Sequence, residues 1–201
     1  MGKLEQLGEY LIRAPRERVW EALNDPAVLR QCIEGCQRFD RIEDNRYATE
    51  VKARVGPVSA TFKGTVSLVD ALPPESYGLE LAVNSGAAGF GKGTASVTLT
   101  ETPEGTLLAY TAAGNVGGKL AQIGQRLIDV AARKTADGFF ETFAGIVVAQ
   151  ACEDLAGSPV ETDAAKPDGD VEAPAVSNAW RTRLAWGAGL ALLLIAAFIL
   201  L

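Results

Sequence analysis

Residue types that could do chemistry occur at two places in this chain. At the first, Gly86, Gly91 and Lys92 have the spacing of a phosphate-binding loop, in which backbone amides and a lysine surround phosphate oxygens. Such a loop also needs a serine or threonine after the lysine, followed by a helix. Here Gly93 follows Lys92, and the next residues alternate as in a strand, so we expect no nucleotide site. Two readings stay open: a glycine-rich loop with Phe90 as an apolar lid, or a plain bent hairpin.

At the second place, Cys32 and Cys36 are four residues apart. Thiols at this spacing could bind a metal, but a zinc site needs about four ligands and no second pair accompanies them. We expect no metal site, and we expect these cysteines to behave as small apolar side chains. Together with Cys152 they make an odd number, which fits a reducing compartment better than a disulfide framework.

The chain contains no histidine and has a formal net charge of −6. The missing histidine excludes Ser-His-Asp and Cys-His nucleophilic sites, histidine general bases and HExxH zinc sites. Because no segment has a surplus of basic residues, nucleic acid is not an expected partner. Composition therefore argues against enzymes whose catalysis depends on histidine and against nucleic-acid-binding proteins.

The elements that must position any site follow from the hydrophobic period. Between Gln37 and Gly114 apolar and polar residues alternate, which predicts antiparallel strands with one buried face. The pattern is clear in Leu79, Leu81 and Val83. The other predicted elements are a strand at Leu4–Arg13, helices at Arg16–Leu23 and Ala27–Gln31, and one long helix at Lys119–Ala151. The expected order is strand, two short helices, six strands, long helix.

This order predicts an α+β fold in which a curved antiparallel sheet wraps round the long C-terminal helix. Many residues that would face the gap between sheet and helix are small, among them Ala60, Gly64, Ala95 and Ala132. Small residues there fit an apolar cavity, and they equally fit close packing of the helix on the sheet. The pattern alone does not decide between the two.

Candidate ligand-binding residues are the apolar side chains predicted to face this gap. They comprise Phe62, Leu81, Val97 and Tyr110 from the sheet, Leu120, Ile123, Leu127, Phe139 and Phe143 from the long helix, and Phe90 at the entrance. The helix set belongs to a predicted apolar stripe that also contains Val130 and Ala131. Phe139 and Phe140 are adjacent, and two interpretations stay open: both belong to the core, or one faces the sheet and the other faces the rim of the cavity or a partner.

The end of the sequence differs from the rest. The last 18 residues, Leu184–Leu201, carry no charge and as a helix would span about 27 Å, close to the thickness of a bilayer core. Arg181 and Arg183 precede them, which by the positive-inside tendency keeps the preceding domain in the cytoplasm. We therefore expect three parts: a folded domain at 1–151, a flexible acidic linker at 152–178 rich in Pro and Ala, and a single C-terminal transmembrane anchor at 179–201 in the cytoplasmic membrane.

Several segments resemble the carbon monoxide dehydrogenase G-subunit family, part of the START-like helix-grip superfamily. They are APRERVW around Pro15–Trp20, CIEGC at Cys32–Cys36, Gly56–Val58 with Phe62–Gly64, and VGGKLAQIGQRL at Val116–Leu127. The resemblance covers roughly residues 3–150. One difference is Glu34, where the family usually has proline.

The resemblance implies an accessory protein and no redox subunit. It implies recruitment of a molybdenum hydroxylase-type carbon monoxide dehydrogenase to the membrane, with membrane lipid as a further partner. Because START-like grips hold apolar ligands, it also implies a bound ligand such as a respiratory quinone, with no covalent cofactor.

Two alternatives remain beside this hypothesis. One is a purely structural scaffold for the dehydrogenase, with a filled core and no ligand. The other is a cyclase- or hydrolase-type enzyme, which needs positioned acid–base groups that the sequence does not suggest.

Overall fold

The computed structural model describes residues 2–55 and 57–156. Within them the chain forms, in order, β1 Gly2–Ile12, α1 Arg16–Leu23, α2 Pro26–Cys32, β2 Cys36–Glu43, β3 Arg46–Val55, β4 Val58–Leu72, β5 Ser76–Asn84, β6 Phe90–Thr102, β7 Gly105–Gly117, α3 Lys119–Gln122 and α4 Gln125–Ala156. A short 3-10 turn, Gly86–Ala88, joins β5 to β6. The predicted order of strand, two short helices, six strands and C-terminal helix is confirmed.

In the described part of the chain, seven strands form one antiparallel sheet in the order β1-β7-β6-β5-β4-β3-β2. Consecutive strands from β2 to β7 are neighbours, as expected when hairpins join them. β1 instead pairs with β7, so the first and last strands of the chain lie side by side at one edge. β2 forms the other edge and contains two register irregularities.

The buried face of the sheet follows the alternation read from the sequence. Leu79, Leu81 and Val83 of β5 are buried, and so are Val97 and Leu99 of β6. The residues between them are mostly polar and lie on the opposite face. Antiparallel strands with one covered face produce this pattern, and the helices pack against the buried side.

The long C-terminal helix differs from the prediction. A single helix at Lys119–Ala151 was expected, but the short helix α3 ends at Gln122, and Gly124 adopts a φ of +92° before α4 begins. An L-residue with a side chain rarely adopts this left-handed conformation, so glycine allows the break. Beyond it, α4 continues to Ala156.

This break changes which side of the helix is buried. The predicted stripe included Leu127 and Val130, but these side chains are 51% and 61% exposed. The buried side of α4 instead carries Ile128, Ala132, Ala136, Phe139, Phe140, Phe143 and Val147. The prediction for Leu127 and Val130 was wrong because it continued one helical phase through Gly124, where the backbone turns.

Two short helices lie beside α4. α1 begins directly after Pro15, as predicted, and α2 runs Pro26–Cys32, one residue longer at each end than expected. The Asp25 carboxylate caps α2 by accepting a hydrogen bond from the Ala27 amide at 2.8 Å. This cap sets the start of α2, whose last residue, Cys32, reaches the cleft described below.

Candidate functional site

A cleft of about 720 Å³ opens between the middle of α4, the end of α2 and the tip of the β3–β4 hairpin. Its walls come from these three places, which are far apart in the sequence. The lining residues are Gln31, Cys32, Glu34, Lys52, Ala53, Arg54, Ser59, Ala131, Lys134, Thr135, Gly138, Phe139, Glu141 and Thr142. Binding sites for small molecules commonly have volumes of about 300–1,000 Å³, so the cleft is large enough for one.

The position of α4 explains why the cleft is open on this side. Three hydrogen bonds hold α4 to the edge strand β1. Gln6 Nε2 donates to the Asp129 carbonyl at 3.3 Å, the Tyr10 hydroxyl donates to Asp137 Oδ1 at 2.7 Å, and Gln125 Nε2 donates to the Lys3 carbonyl. The flank of α4 turned away from β1 faces the β3–β4 hairpin and forms one wall of the cleft.

The floor of the cleft is apolar and its rim is charged. Cys32 and Phe139 are buried, and Ala53 and Ala131 are half-buried. Charged side chains surround this floor and are exposed: Glu34, Lys52, Arg54, Lys134 and Glu141. An apolar floor with polar groups at the mouth suits a ligand that has an apolar body and polar oxygens.

The space above the floor stays open because the residues on the flank of α4 that faces the cleft are small. A Cβ built at Gly138 would meet no atom within 4 Å, so the volume beside this residue is empty. Ala131 lies two helical turns before Gly138 on the same flank, and Ala53 lies across the cleft on β3. Larger residues at these positions would fill the cleft.

Cys32 is the cysteine among the residues that line the cleft. Burial raises the pKa of its thiol to about 12, so the thiol is protonated at neutral pH. Burial also raises the pKa of Cys36, while the nearby Arg30 guanidinium partly opposes this. Both free thiols are therefore poor nucleophiles, and Cys32 acts as part of the apolar floor.

Behind the cleft, aromatic rings fill the space between sheet and helix. The Tyr10 ring stacks on Phe140 with centroids 3.9 Å apart, and Phe139 stacks on Phe143 at 5.8 Å. Burial and the hydrogen bond to Asp137 raise the pKa of the Tyr10 hydroxyl above its usual value. Phe139 thus joins the cleft floor to the aromatic core.

Of the ten predicted ligand-binding residues, Phe139 lines the cleft. Six others are buried in the core: Phe62, Leu81, Val97, Tyr110, Leu120 and Phe143. Ile123 is half-buried, whereas Phe90 and Leu127 are exposed at 50% and 51%. Both members of the pair Phe139 and Phe140 are buried at 1%, which agrees with the interpretation that both belong to the core.

Most lining residues were not among the predicted ones. Cys32, Ala53, Ala131 and Gly138 had been noticed as cysteine, alternating or small residues, but not as the wall of one site. The signal that could have found them is the run of small residues on one helix flank. Ala131, Thr135, Gly138 and Thr142 are spaced four, three and four apart, as along one side of a helix.

The glycine-rich turn is a hairpin connection leading into β6, not a phosphate loop before a helix. Gly89 packs so tightly that a Cβ there would lie 2.2 Å from the Gly117 carbonyl oxygen. The Phe90 ring lies over Gly117, where a Cβ would come within 2.6 Å of two ring atoms. These glycines allow the β5–β6 turn to contact the start of the C-terminal helical region.

Two further observations apply to the part of the chain that the structure describes. No group of three or more Cys, Asp or Glu side chains there is arranged to hold a metal ion. None of the helices in residues 2–55 and 57–156 combines the length and the apolarity needed to cross a bilayer. The predicted linker at 152–178 begins inside α4, which includes residues 152–156. The rest of the linker and the predicted anchor at 179–201 lie outside the described residues.

Solved structures share this fold. A conserved protein from Geobacillus kaustophilus is 29% identical, with a TM-score of 0.70, over 73% of this chain and 97% of that one. An uncharacterized protein from Rhizobium leguminosarum is 16% identical with a TM-score of 0.56, over 73% of this chain and 95% of that one. Protein CV1439 from Chromobacterium violaceum is 15% identical with a TM-score of 0.52, over 73% of this chain and 98% of that one. No curated protein shows a significant match to the sequence.

A family model gives the more specific result. The model, described as the G subunit of carbon monoxide dehydrogenase (CoxG), matches residues 8–147, which include every residue that lines the cleft. The match covers the sheet except for the first six residues of β1, together with most of α4. The seven-stranded sheet with its C-terminal helix agrees with a helix-grip fold. The chain therefore belongs to the CoxG family, which is named for the G subunit of carbon monoxide dehydrogenase.

Proposed function

We propose that this protein is a membrane-tethered accessory protein that brings a carbon monoxide dehydrogenase-type molybdenum hydroxylase to the cytoplasmic membrane and holds a respiratory quinone in its cleft. The observation that carries the ligand proposal is the open, apolar-floored cleft between α4 and the β3–β4 hairpin. Family membership supports the association with carbon monoxide dehydrogenase. The uncharged segment Leu184–Leu201 supports the tether, because its length and composition suit a bilayer.

The chemistry of the cleft favours a quinone among apolar ligands. A quinone ring is flat, its body is apolar and its two carbonyl oxygens accept hydrogen bonds. Phe139 and the small residues Ala53 and Ala131 offer an apolar surface, and Lys134 at the rim offers an ammonium donor. An enzyme that oxidises its substrate at the membrane needs an apolar electron acceptor, which such a cleft would present. The protein itself needs no catalytic group for this role.

The experiment is to purify the full chain from membranes in a mild detergent, extract it with organic solvent and identify the lipids by mass spectrometry. We expect a quinone at a stoichiometry approaching one per chain. Gly138→Trp should abolish quinone binding, because the indole would fill the cleft. Gly145→Trp, on the same helix but outside the cleft, is the matched control. Purified chain that repeatedly lacks quinone would contradict the ligand proposal.

A purely structural scaffold is the second candidate. It is favoured by the dense packing behind the cleft, where Phe62, Phe140 and Phe143 leave the sheet–helix interior filled. This alternative predicts that Gly138→Trp leaves recruitment of the dehydrogenase to membranes unchanged and also leaves CO-dependent respiration unchanged. The quinone-binding hypothesis predicts that recruitment persists while respiration falls.

A further inference from the structure

The strand register defines two ends of the molecule with different surfaces. Phe90 lies opposite Asn84 on one side and opposite Gly117 on the other, and Gly2 lies opposite Val116. The hydrogen bond from Gln125 to the Lys3 carbonyl brings the start of α4 to the same end. We call this the glycine-rich end; it comprises the turn at 85–93, residues 116–127 and the start of β1.

Large apolar side chains are exposed at the glycine-rich end and along the adjoining first turns of α4. Phe90 is 50% exposed, Leu127 is 51% exposed and Val130 is 61% exposed. Phe90 cannot be covered by its own strand partner, because Gly117 beneath it has no side chain. Leu11, Ile42 and Leu72 are also exposed, toward the other end of the strands, so the glycine-rich end is distinguished by the charge that accompanies its apolar group.

The charge of this end is positive, although the whole chain is acidic. The residues of this end carry Lys3, Lys92, Lys119 and Arg126 against one acid, Glu5, and Asp129 follows directly on α4. At the other end of the strands, acids outnumber bases by six to three. The acids are Glu43, Asp44, Asp70, Glu75, Glu101 and Glu104, and the bases are Arg13, Arg41 and Arg46. The molecule is therefore electrically polarised along its strands.

We propose that the glycine-rich end is an interfacial docking face for an anionic phospholipid bilayer, with Phe90 and Leu127 lying among the headgroups and Lys92, Lys119 and Arg126 facing anionic lipids. Basic residues flanking exposed apolar side chains are the combination that holds peripheral proteins at such a surface. A positive end on a chain of net charge −6 makes the attraction orientation-specific, because the acidic end is repelled.

One wall of the cleft, the β3–β4 hairpin, lies at the same end of the sheet. Lys63 of β4 lies opposite Asn84, so the β3–β4 hairpin from Lys52 to Ser59 extends beyond the level of the β5–β6 turn. On α4, Leu127 lies four residues before Ala131 and seven before Lys134, which places it on the flank that lines the cleft. Docking would therefore bring the hairpin wall of the cleft close to the lipid surface.

The chain outside the described residues is long enough for this orientation. α4 ends at Ala156, and as a 32-residue helix it is about 48 Å long. The 27 residues from 157 to 183 could extend to about 90 Å, so an anchor at Leu184–Leu201 permits the glycine-rich end to reach the bilayer. The inference rests on the proposed tether, and the experiment below separates the two.

The experiment uses the full chain reconstituted into vesicles of phosphatidylcholine with about 30% phosphatidylglycerol, or of phosphatidylcholine alone. A single cysteine carries an environment-sensitive NBD fluorophore at Phe90→Cys or Leu127→Cys, in a variant whose native cysteines are replaced by alanine or serine. Leu72→Cys is the matched control, because Leu72 is 64% exposed but lies at the acidic end. Circular dichroism verifies that each variant is folded.

We expect a blue-shifted emission at positions 90 and 127 that brominated lipids quench, only with anionic vesicles, and an aqueous spectrum at position 72. The triple variant Lys92→Glu, Lys119→Glu, Arg126→Glu should weaken docking by about fivefold for each reversed residue. The same charge change at the other end, Arg13→Glu, Arg41→Glu, Arg46→Glu, should leave the shift in place.

Vesicles that float with the chain while all three positions stay aqueous would overturn the docking face and leave the tether standing. A chain that does not float with vesicles would overturn both the tether and the docking face. A shift of equal size with neutral vesicles would overturn the electrostatic part of the proposal.

Discussion

The Tyr10 hydroxyl donates a 2.7 Å hydrogen bond to Asp137 Oδ1 and thereby joins the edge strand β1 to the middle of α4. The Tyr10 ring lies against Phe140, so the bond rests on a packed aromatic base. This contact holds one flank of α4 against the sheet while the other flank borders the cleft.

Removal of this hydroxyl should lower stability without affecting packing. For Tyr10→Phe we expect the free energy of unfolding to fall by about 1 kcal/mol, because one hydrogen bond is lost and the ring is kept. Urea denaturation followed by circular dichroism measures the change. Glu9→Gln, on the exposed face of the same strand, is the control, and a double-mutant cycle with Asp137→Ala should show coupling. Additive effects of the two substitutions would contradict a direct bond.

The same tyrosine should make the protein sensitive to alkali. Burial and the Asp137 hydrogen bond raise the pKa of Tyr10 in the folded state, and burial also raises the pKa of Tyr110. A raised pKa means that the folded state retains the proton more tightly. Its contribution to stability is therefore complete below the unfolded value of about 10 and is lost as pH rises above it. Equilibrium unfolding between pH 9 and 11 should show that the free energy of unfolding falls as pH rises. The fall per pH unit should be smaller in Tyr10→Phe. Equal slopes would refute this assignment.

Gly8 of β1 should not tolerate a larger residue. An added Cβ would lie 2.6 Å from a Tyr110 ring carbon, closer than real contacts allow. We expect Gly8→Ala to destabilise the domain by about 1–3 kcal/mol, because the buried Tyr110 must move. By contrast, Gly145→Ala, which meets nothing within 4 Å on the exposed side of α4, should be neutral or stabilising by up to about 1 kcal/mol. Thermal melts of the two variants provide the comparison.

The three cysteines should differ in reactivity. Cys32 has its pKa raised to about 12 by burial, whereas Cys152 is exposed. Iodoacetamide at pH 8 should modify Cys152 first, and Cys36 and Cys32 much more slowly, as peptide mass spectrometry would show. A quinone bound in the cleft should slow the modification of Cys32 further, without affecting the modification of Cys152. Rapid modification of Cys32 in the folded protein would contradict its place on the cleft floor.

The strands could be predicted from sequence because their physics is local. Val97 and Leu99 alternate with threonines, and only one register buries all the apolar members on one side. The long helix was less accessible to prediction, since the turn at Gly124 depends on a positive φ that glycine permits but does not require. One residue in this conformation changed the phase of the helix and placed Leu127 and Val130 in solvent.

The cleft could not be predicted from the same patterns. Candidate residues were chosen as the largest apolar side chains facing the sheet–helix gap, such as Phe62, Phe143 and Tyr110. Large apolar side chains fill space, so they form the packed core. The cleft lies where residues are small, at Ala53 and Gly138, and its existence depends on how far α4 is from the β3–β4 hairpin. That distance is a property of the tertiary structure.

The walls of the cleft consist largely of backbone and short side chains, and this has an evolutionary consequence. Because Gly138 has free space around its Cα and Ala131 presents only a methyl group, the volume can be reduced in increments of one or two carbon atoms without disturbing the aromatic core. Related chains could thus bind ligands of different width through a few substitutions on one flank of α4. Selectivity for cargo would then diverge while the architecture stayed the same.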